Sequence, residues 1–437
     1  MSHKDVTAKD IQLYSDLSPD NVRQANLQYL ATELDRTGHK KSALQVWALI
    51  GTQKESADDK LEGQIKIARI QYDLGKKQQT VIELQKVAEM LKDADCKEQS
   101  HCDSLRQEIR KVVTDWGKAE ERDPSAELIN AYRAYASQFP DIEINYWAAQ
   151  SALKRKQYSD AIQFFKNAAE LSFDIKDQKD NKSGINVSKI FEGSLLGAIE
   201  AAELSKDTKL REFAYNEYLK LNPRGAKSLE VRYQIAQVTL EKGDNENAAQ
   251  AFYDIAMINQ KGNDEIKNKS AGLALDTLVL LKDDERLEKW STEFANHFPK
   301  RKTEFLAIYR KTVLNHAAHV INDSKSQSEL ESEFTKLSKT DLSKATAQER
   351  INFHKHRSLI ATKLKNLDAI IISSQALLKE KTLSENDRKD ALENLSWAQE
   401  MKFDFAGALA TQKKIKTSKD QEAEHLLKLG VLSELSH

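Results

Sequence analysis

The sequence predicts an all-α fold, a right-handed α-solenoid of about ten helical hairpins, on the basis of three observations. Helix breakers are scarce, with 14 Gly and 5 Pro in 437 residues, a composition that suits long helices. Small residues recur at a fixed helical spacing in five segments, and three of the five prolines follow aromatic-rich segments. Repetition of this kind is typical of stacked hairpins, each of which buries its apolar face against the next.

The first repeated pattern is clearest in YWAAQSALKRKQYSDAIQFFKNAAELS, residues 146–172. Ala149 is followed by Ala161 twelve residues later, and then by Phe165 and Ala168 at steps of four and three, which trace one helical face. Two helices pack closely only where small residues occupy their crossing, so each copy predicts a hairpin. The same skeleton recurs four times, the last in a weaker form: Ala31, Ala43, Trp47 and Ile50; Ala68, Thr80, Leu84 and Val87; Ala236, Ala248, Phe252 and Ile255; Ser396, Ala408, Gln412 and Ile415.

A second kind of hairpin is marked by a proline after its second helix. An aromatic residue lies five positions before each of these prolines, in the pairs Tyr135 and Pro140, Tyr218 and Pro223, and Phe294 and Pro299. Proline cannot continue a helix, so each pair predicts a helix end closed by an aromatic ring. One hairpin of the first kind lies between each two consecutive proline-marked hairpins, so the two kinds of hairpin are predicted to alternate.

The segments YSDAIQFFKNAA and GDNENAAQAFYDIA resemble the tetratricopeptide repeat (TPR) family. That family places small residues at the helix crossing, an aromatic residue one turn later and a proline after the second helix. The resemblance extends from about Asn21 to about Thr417, with an average spacing longer than the family's repeat of about 34 residues. It implies a TPR-like solenoid with elongated helices, whose concave face receives a protein or peptide partner.

The chain divides into four predicted regions. These are a polar extension at residues 1–20, hairpins at 21–117, central hairpins at 118–299 and a looser helical subdomain at 300–437. Gly117 and Pro124 predict a break in the repeat within residues 114–127, and residues 174–189 predict an exposed polar insertion. In the last region, helices are expected from about Glu304 to Ile321 and from Ser328 to Leu337.

Charge and hydropathy narrow the class of partner. Lys and Arg total 67 against 68 Asp and Glu, so the formal charge of −1 creates no global field for nucleic acid or an anionic membrane. Basic clusters at residues 153–156, 299–302 and 413–416 lie among acidic residues, and no continuous nucleic-acid groove is expected. The sequence contains no apolar run of about 18 residues, so no direct membrane insertion is expected.

The sequence predicts that the chain is not an enzyme and needs no cofactor or metal. It contains no glycine-rich phosphate loop, no nucleophile elbow and no His-Glu-x-x-His motif. The competing hypothesis is a metal-dependent enzyme that uses a histidine cluster: His316 and His319 stand one helical turn apart, and His354 and His356 follow downstream. Such a site also requires a carboxylate or a third histidine that converges with them in space.

Cys96 and Cys102 are the only cysteines, and both lie in the polar segment DADCKEQSHCDS. Helices are predicted to end near Ala94 and to begin near Ser104, which places both thiols in one loop. A disulfide there would contribute about 2 kcal/mol and would require an oxidising compartment. The alternative is two unrelated thiols in a cytoplasmic protein. A polar N-terminus fits both a cytosolic chain and one with a trimmed leader, and we favour an extracytoplasmic, periplasmic location.

The functional residues of a repeat surface are expected to repeat as well. The pattern Tyr-x-x-Ala-Gln-x-x-Leu occurs twice, 87 residues apart, and places Tyr and Gln on the same side of a helix. The alternative interpretation is that both tyrosines pack between neighbouring hairpins. Arg69, Tyr72, Lys154 and Trp397 fall on comparable stretches of the sequence. The predicted partner-binding residues are therefore Arg69, Tyr72, Tyr146, Gln150, Lys154, Tyr233, Gln237 and Trp397.

The predicted function is a non-enzymatic scaffold or adaptor that binds a protein or peptide on the concave face of the solenoid. The second hypothesis is an assembly factor of a bacterial cell-envelope or motility complex. It is suggested by the predicted disulfide and by a resemblance to large extracytoplasmic repeat proteins.

Overall fold

The computed structural model describes residues 6–52, 57–93, 99–175, 186–259, 263–323, 326–417 and 421–436. Within these ranges the regular structure consists of 22 α-helices and one 3-10 turn, with no β-strand, which confirms the predicted all-α class. The chain forms two compact units, Met1–Val231 and Arg232–His437, and each is described by itself. The division between them falls at a different place from the boundaries predicted after residues 117 and 299.

The described part of the first unit contains eleven complete helices. They are α1 (Ala8–Leu17), α2 (Arg23–Arg36), α3 (Lys40–Ile50), α4 (Ala57–Asp73), α5 (Lys77–Asp93), α6 (Gln99–Ala119), α7 (Ala126–Ala136), α8 (Ile142–Lys154), α9 (Tyr158–Phe173), α10 (Val187–Ser205) and α11 (Thr208–Leu221). The region predicted as a polar extension includes α1, where a capping box between Thr7 and Asp10 closes the first turn and Ile11 is buried.

Helix α12 (Ser228–Glu241) begins just before the division and continues into the second unit. The helices that follow are α13 (Asn245–Met257), α14 (Asp264–Leu281), α15 (Asp284–His297), α16 (Lys302–Asp323), α17 (Gln327–Lys339), α18 (Ala347–Lys363), α19 (Leu367–Lys379), α20 (Glu385–Met401), α21 (Phe405–Gln412) and α22 (Glu422–Leu435). A 3-10 turn, Pro299–Arg301, joins α15 to α16. The bounds of α16 and α17 agree with the predicted helices to within a few residues.

Helices pack against their neighbours in the chain and, in several places, against the next helix but one. In the first unit α4 contacts α6 and α8 contacts α10, whereas α5 contacts α7 and α9 contacts α11. Arg110 on α6 pairs with Glu143 on α8, and Arg133 on α7 pairs with Asp160 on α9. Helices α4, α6, α8 and α10 therefore belong to one layer, called here the first-helix layer, and α5, α7, α9 and α11 belong to the second-helix layer. This arrangement is that of stacked hairpins, and it agrees with the predicted TPR-like repeat fold. In the second unit α16 contacts α18 in the same way.

The residues of the predicted crossing skeleton are buried in all five copies. The two small residues of each copy have no exposed surface in the pairs α2–α3, α4–α5, α8–α9, α12–α13 and α20–α21. The larger members fill the space beside them, and their exposure ranges from 0% at Ile50 to 7% at Gln412. The predicted register of the repeat is therefore confirmed at every copy.

The three proline-marked helices also end where the sequence predicts. Helices α7, α11 and α15 stop before their prolines, and the preceding rings of Tyr135, Tyr218 and Phe294 are buried. The Tyr135 hydroxyl donates to Asp141 Oδ2 at 3.3 Å, and the Lys227 amide donates to Tyr218 Oη at 3.3 Å. From α6 to α15, proline-marked pairs alternate with pairs that carry the crossing skeleton, which confirms the predicted alternation.

Two predicted interruptions are shorter than expected. Helix α6 continues through Gly117 to Ala119, so the break is confined to the few residues before α7. Glycine is tolerated there because tertiary packing outweighs its weak helix propensity. In the predicted insertion at 174–189, residues 176–185 lie outside the described ranges, and α10 already begins at Val187.

The hairpin turns of the skeleton-bearing pairs share one backbone conformation. Five positions before the second small residue, φ is positive in each copy: Gly38, Gly75, Lys156, Gly243 and Phe403. This left-handed conformation reverses the chain after the first helix, and it is the conformation that glycine adopts most readily. None of the described helices is long and apolar enough to cross a lipid bilayer.

Candidate partner-binding surface

Four of the eight predicted binding residues occupy one equivalent position in the repeat. Arg69, Gln150, Gln237 and Trp397 each directly follow the buried small residue of a first helix. All four retain solvent exposure, and Trp397 is 39% exposed although it is aromatic. A position that is accessible in every copy is where a repeat protein presents side chains that recognise a partner.

On α4, Arg69 and Tyr72 are held against α6. Arg69 Nη1 lies 2.9 Å from Asp115 Oδ2, and its guanidinium lies 5.8 Å from the centre of the Tyr72 ring. The Tyr72 ring in turn lies 5.6 Å from the ring of Trp116. Burial, followed by the charge of Asp115, raises the pKa of Tyr72. These two residues therefore join neighbouring hairpins, and their predicted role in binding stays a prediction.

On α8, Gln150 and Lys154 line a pocket of about 250 Å³, called here the α6–α8 pocket. Lys154 Nζ donates to the Glu121 carbonyl oxygen at 2.6 Å, which holds the side chain at the pocket wall. Trp147 lines the same pocket, and the Arg110 guanidinium lies 5.9 Å from its ring centre. Other lining residues come from α6, α7, α8 and the turn after α6: Thr114, Gly117, Lys118, Glu121, Tyr132 and Ser151.

Sequence reasoning missed most of this pocket, although one signal was present. Trp147 stands beside Tyr146 in the same repeated stretch, at a place where the equivalent hairpin has Gln234. The contribution of α6 gave no such signal, because α6 belongs to a proline-marked pair and lacks the crossing skeleton. Its Thr114 and Lys118 become pocket residues only through packing against α7 and α8.

Tyr146 and Tyr233 pack in the same way within their respective units. The Tyr146 ring lies 5.9 Å from that of Phe165, and the Tyr233 ring lies 5.9 Å from that of Phe252. A Cβ atom at Gly193 on α10 would lie 2.9 Å from Tyr146 Oη, so this tyrosine fits against the next first helix. The contact of Tyr146 with α10 is of the kind that the alternative interpretation describes, whereas the contact of Tyr233 with Phe252 lies within its own hairpin. Gln237 Nε2 donates to Tyr233 Oη at 3.2 Å, which links the repeated Tyr and Gln directly.

The histidines of the competing enzyme hypothesis lie in the second unit. His316 Nδ1 lies 2.7 Å from Glu333 Oε2, whereas His319 on the same helix is largely exposed. Burial lowers the pKa of both His354 and His356, with smaller contributions from Arg357 and Lys355 respectively. In the part of the chain that the structure describes, no group of three or more His, Cys, Asp or Glu side chains is placed to hold a metal ion.

The described residues include only the backbone of one cysteine of the predicted disulfide. Cys96 lies outside the described residues, as does the side chain of Cys102. The backbone of Cys102 belongs to the first turn of α6, which begins at Gln99 and not near Ser104. The inter-helix segment is therefore shorter than the sequence predicted, because the polar residues 99–103 extend the amphipathic helix at its N-terminus.

No protein-family model matches this sequence, and no curated protein sequence matches it. Solved structures to which the chain is similar include the TPR domain of P58(IPK), at 13% identity over 94% of this chain and 98% of that one, with a TM-score of 0.26. Yeast Tom70 is 12% identical over 98% and 91% of the two chains, with a TM-score of 0.22. A human IFIT1 dimer with m7Gppp-AAAA is 12% identical over 98% and 96%, with a TM-score of 0.23. Scores this low transfer no function, and the TPR-like assignment rests on the packing described above.

Proposed function

We propose that this chain is a non-enzymatic scaffold that binds a peptide segment of a protein partner on the first-helix layer of its first unit. The observation that carries the proposal is the α6–α8 pocket, where Gln150 and Lys154, at accessible positions of the repeat, meet Trp147 and Lys118. Helical-repeat proteins commonly use such a layer to receive an extended or helical segment.

The size of the pocket favours an anchoring side chain over a small-molecule ligand. Ligand and cofactor sites usually enclose about 300–1,000 Å³, whereas the α6–α8 pocket encloses about 250 Å³. A pocket of this size accommodates one or two side chains of a peptide. Tryptophan is also enriched among the residues that contribute most to binding at protein interfaces, which suits Trp147 to this role.

The pocket walls are held in place before a partner arrives. Arg110, whose guanidinium lies beside the Trp147 ring, pairs with Asp141 at 2.8 Å and with Glu143 at 2.7 Å. Lys154 is fixed by its hydrogen bond to the Glu121 carbonyl. Side chains that are already ordered lose less conformational entropy on binding, so this arrangement favours affinity.

The direct test is affinity capture of partners with a variant that fills the pocket. We expect Gln150→Arg to reduce partner recovery at least severalfold, because the longer charged side chain occupies the space needed by a peptide side chain. The matched control is Gln163→Arg, which places the same substitution at an exposed position of α9 in the second-helix layer of the same hairpin. Equal recovery by the wild type and Gln150→Arg would contradict the proposed surface.

We also propose an extracytoplasmic location, supported by the occurrence of both cysteines within seven consecutive residues, 96–102. Close sequence spacing permits a bridge, and disulfides persist only in oxidising compartments. Thiol titration of unreduced, denatured protein prepared under oxidising conditions tests the bridge. We expect no free thiol, and two free thiols per chain would favour the cytoplasm.

A further inference from the structure

Helices α20 and α22 of the second unit expose apolar side chains next to each other. Trp397 and Met401, four positions apart, share one side of α20, and Leu427 and Val431 share one side of α22. Their exposed fractions are 39%, 54%, 70% and 49%, in that order. These four residues are called here the α20–α22 face. Single exposed apolar residues are ordinary, but a group of them is typical of an interaction site.

An ion pair between the two helices brings the four side chains together. Glu400 Oε1 on α20 lies 2.9 Å from Lys428 Nζ on α22. Trp397 is one helical turn from Glu400, and Val431 is one turn from Lys428, so both side chains stand next to the ion pair. The other two apolar residues extend this surface along their helices. The α20–α22 face is therefore one continuous surface formed by two helices.

The turn after α20 adds an exposed ring beside Met401. Phe403 is 80% exposed, and its backbone is left-handed, with φ of 61°. Glycine occupies the equivalent position in three of the other skeleton-bearing turns. A phenylalanine there costs backbone strain and also leaves its ring in water, with the Phe405 ring centre 6.1 Å away. Strain that brings no burial within the fold is typical of a functional position.

Carboxylates border the α20–α22 face. Asp390 and Glu393 precede Trp397 by seven and four positions on the same side of α20. On α22, Glu434 follows Leu427 by seven positions. Among the residues that the structure describes, neither Asp390 nor Glu434 has an ion-pair partner.

The lysines near this border are already matched by carboxylates. They form three ion pairs within the chain: Lys389 with Glu393, Lys402 with Asp368 and Lys428 with Glu400. The basic cluster at residues 413–416 belongs to the connection between α21 and α22. The face is consequently apolar at its centre and negative at its border.

The sign of the border decides between the candidate occupants. A second copy of this chain would bring two negative borders to one interface, and an anionic lipid surface would meet the same repulsion. A basic amphipathic helix offers apolar side chains for the centre and cations for the border. Tryptophan and methionine are also enriched at protein interfaces, which suits Trp397 and Met401 to this contact.

We infer that the α20–α22 face receives an amphipathic helix of a protein partner. The apolar side of that helix packs on Trp397 and Leu427, and its lysine or arginine side chains extend toward Asp390 and Glu434. This surface belongs to the second unit. The inference does not depend on the function proposed for the α6–α8 pocket.

The test uses the full chain and two fluorescently labelled peptides that form amphipathic helices of about five turns. One consists of leucine and lysine, and the other has glutamate at every lysine position. Fluorescence anisotropy measures both affinities. We expect the leucine–lysine peptide to bind at least tenfold more tightly, and added salt to reduce this preference, because salt screens exposed charges. Equal affinities, or no binding of the leucine–lysine peptide, would overturn the inference.

Variants locate the binding site. We expect Trp397→Gln and Leu427→Gln each to weaken binding of the leucine–lysine peptide about tenfold, because each removes an apolar contact at the centre of the face. The matched control is Leu280→Gln on α14, where the leucine has nearly the same exposure, 67%, but lies outside the face. Wild-type affinity in both face variants would contradict the assignment.

A change of border charge tests the electrostatic part of the inference. We expect Asp390→Lys/Glu434→Lys to weaken binding of the leucine–lysine peptide and to strengthen binding of the leucine–glutamate peptide. Both substitutions are at exposed positions, and circular dichroism checks that the fold is kept. An unchanged preference between the two peptides would overturn the inference.

Three further outcomes assign the peptide or the face differently, and each would overturn the inference. The first is a dimer, seen by sedimentation velocity, that Leu427→Gln abolishes and Leu280→Gln does not. The second is binding to phosphatidylserine vesicles that shows the same dependence on these variants. The third is loss of peptide binding through Gln150→Arg with none through Leu427→Gln, which would assign the peptide to the α6–α8 pocket.

Discussion

The close approach of α6 and α7 depends on a single residue, Gly117. A Cβ atom there would lie 1.8 Å from Tyr132 Oη and 3.0 Å from Tyr132 Cζ. The Tyr132 ring is 2% exposed, so neighbouring groups prevent it from moving aside. Burial, with a smaller contribution from Glu120, raises the pKa of Tyr132, which keeps the hydroxyl neutral at any ordinary pH.

We expect Gly117→Ala to lower the free energy of unfolding by about 1–3 kcal/mol, because the added methyl group overfills a packed site. Adding Tyr132→Phe to this variant should restore part of the free energy of unfolding, since it removes the oxygen that clashes with the new methyl group. Urea denaturation measures both effects. The control is Gly430→Ala on α22, where no atom lies within 4 Å of the new Cβ. Equal losses at the two glycines would contradict the packing explanation.

The buried histidines of α18 predict a dependence of stability on pH. Burial lowers the pKa of His354 and of His356 below the ordinary value of 6.5. As the pH falls below this value, these two histidines bind protons in the unfolded chain but stay neutral in the folded chain. The contribution of the two neutral rings to stability is therefore complete above pH 6.5 and is lost as the pH falls through the folded-state pKa values.

We expect the urea midpoint of the wild type to fall between about pH 7.5 and about pH 5.5, in the direction that this linkage requires. In the variant His354→Gln/His356→Gln the fall should be smaller, because two of the titrating groups are absent. Carboxylates also titrate near the lower pH, so the difference between the two proteins is the quantity to measure. An identical fall in both would show that these histidines do not contribute.

At the scale of the hairpin, each turn of a skeleton-bearing pair contains one residue in the left-handed backbone conformation. Glycine occupies this position at Gly38, Gly75 and Gly243, but Lys156 and Phe403 occupy it at φ of 60° and 61°. A residue with a Cβ atom pays about 1–2 kcal/mol for this conformation. Lys156 and Phe403 persist there because the two helices on either side of each turn are fixed by the buried crossing between them.

We expect Gly243→Ala to destabilise the protein by about 1 kcal/mol and Lys156→Gly to stabilise it by a similar amount. No atom lies within 4 Å of a Cβ at Gly243, so the cost there is that of the backbone alone. Thermal unfolding followed by circular dichroism measures both variants. A stabilising Gly243→Ala would mean that the turn does not require the left-handed conformation.

Across the whole molecule, the apolar core is distributed along the chain. In the first unit one apolar cluster contains residues of α1, α2, α3 and α4, and another contains residues from Leu61 to Ala214. In the second unit a separate cluster joins α16, α17 and α18. In such a chain each hairpin depends mainly on its neighbours, so a local defect is expected to spread over a limited distance.

We expect Ala161→Trp and Ala248→Trp each to cost about 1–3 kcal/mol or more, because both alanines are fully buried at a crossing. Hydrogen exchange should locate the damage: Ala161→Trp should lower protection in α8 to α11, and Ala248→Trp in α12 to α14. Protection in α18 to α21 should stay unchanged in both variants. Uniform loss of protection along the chain would indicate a single cooperative core, contrary to this prediction.

The sequence by itself determined the helical class, the crossing residues and the alternation of the two kinds of hairpin. It did so because these features are local. A crossing needs small residues at a spacing set by helix geometry, as at Ala149 and Ala161, and a helix end needs a residue such as Pro140 that stops it. Neither requirement depends on what lies elsewhere in the chain.

The candidate sites were decided only by the tertiary structure. Arg69 pairs with Asp115 across 46 positions, and Lys66 pairs with Glu108 across 42. The sequence does not indicate which charged residues will pair. Charged residues are frequent, and any of them can occupy an exposed position on a helix. The same reason applies to the α6–α8 pocket, which combines Lys118 with Gln150. Packing between hairpins decides which polar side chains face a partner, and that packing is a property of surfaces brought together over long separations.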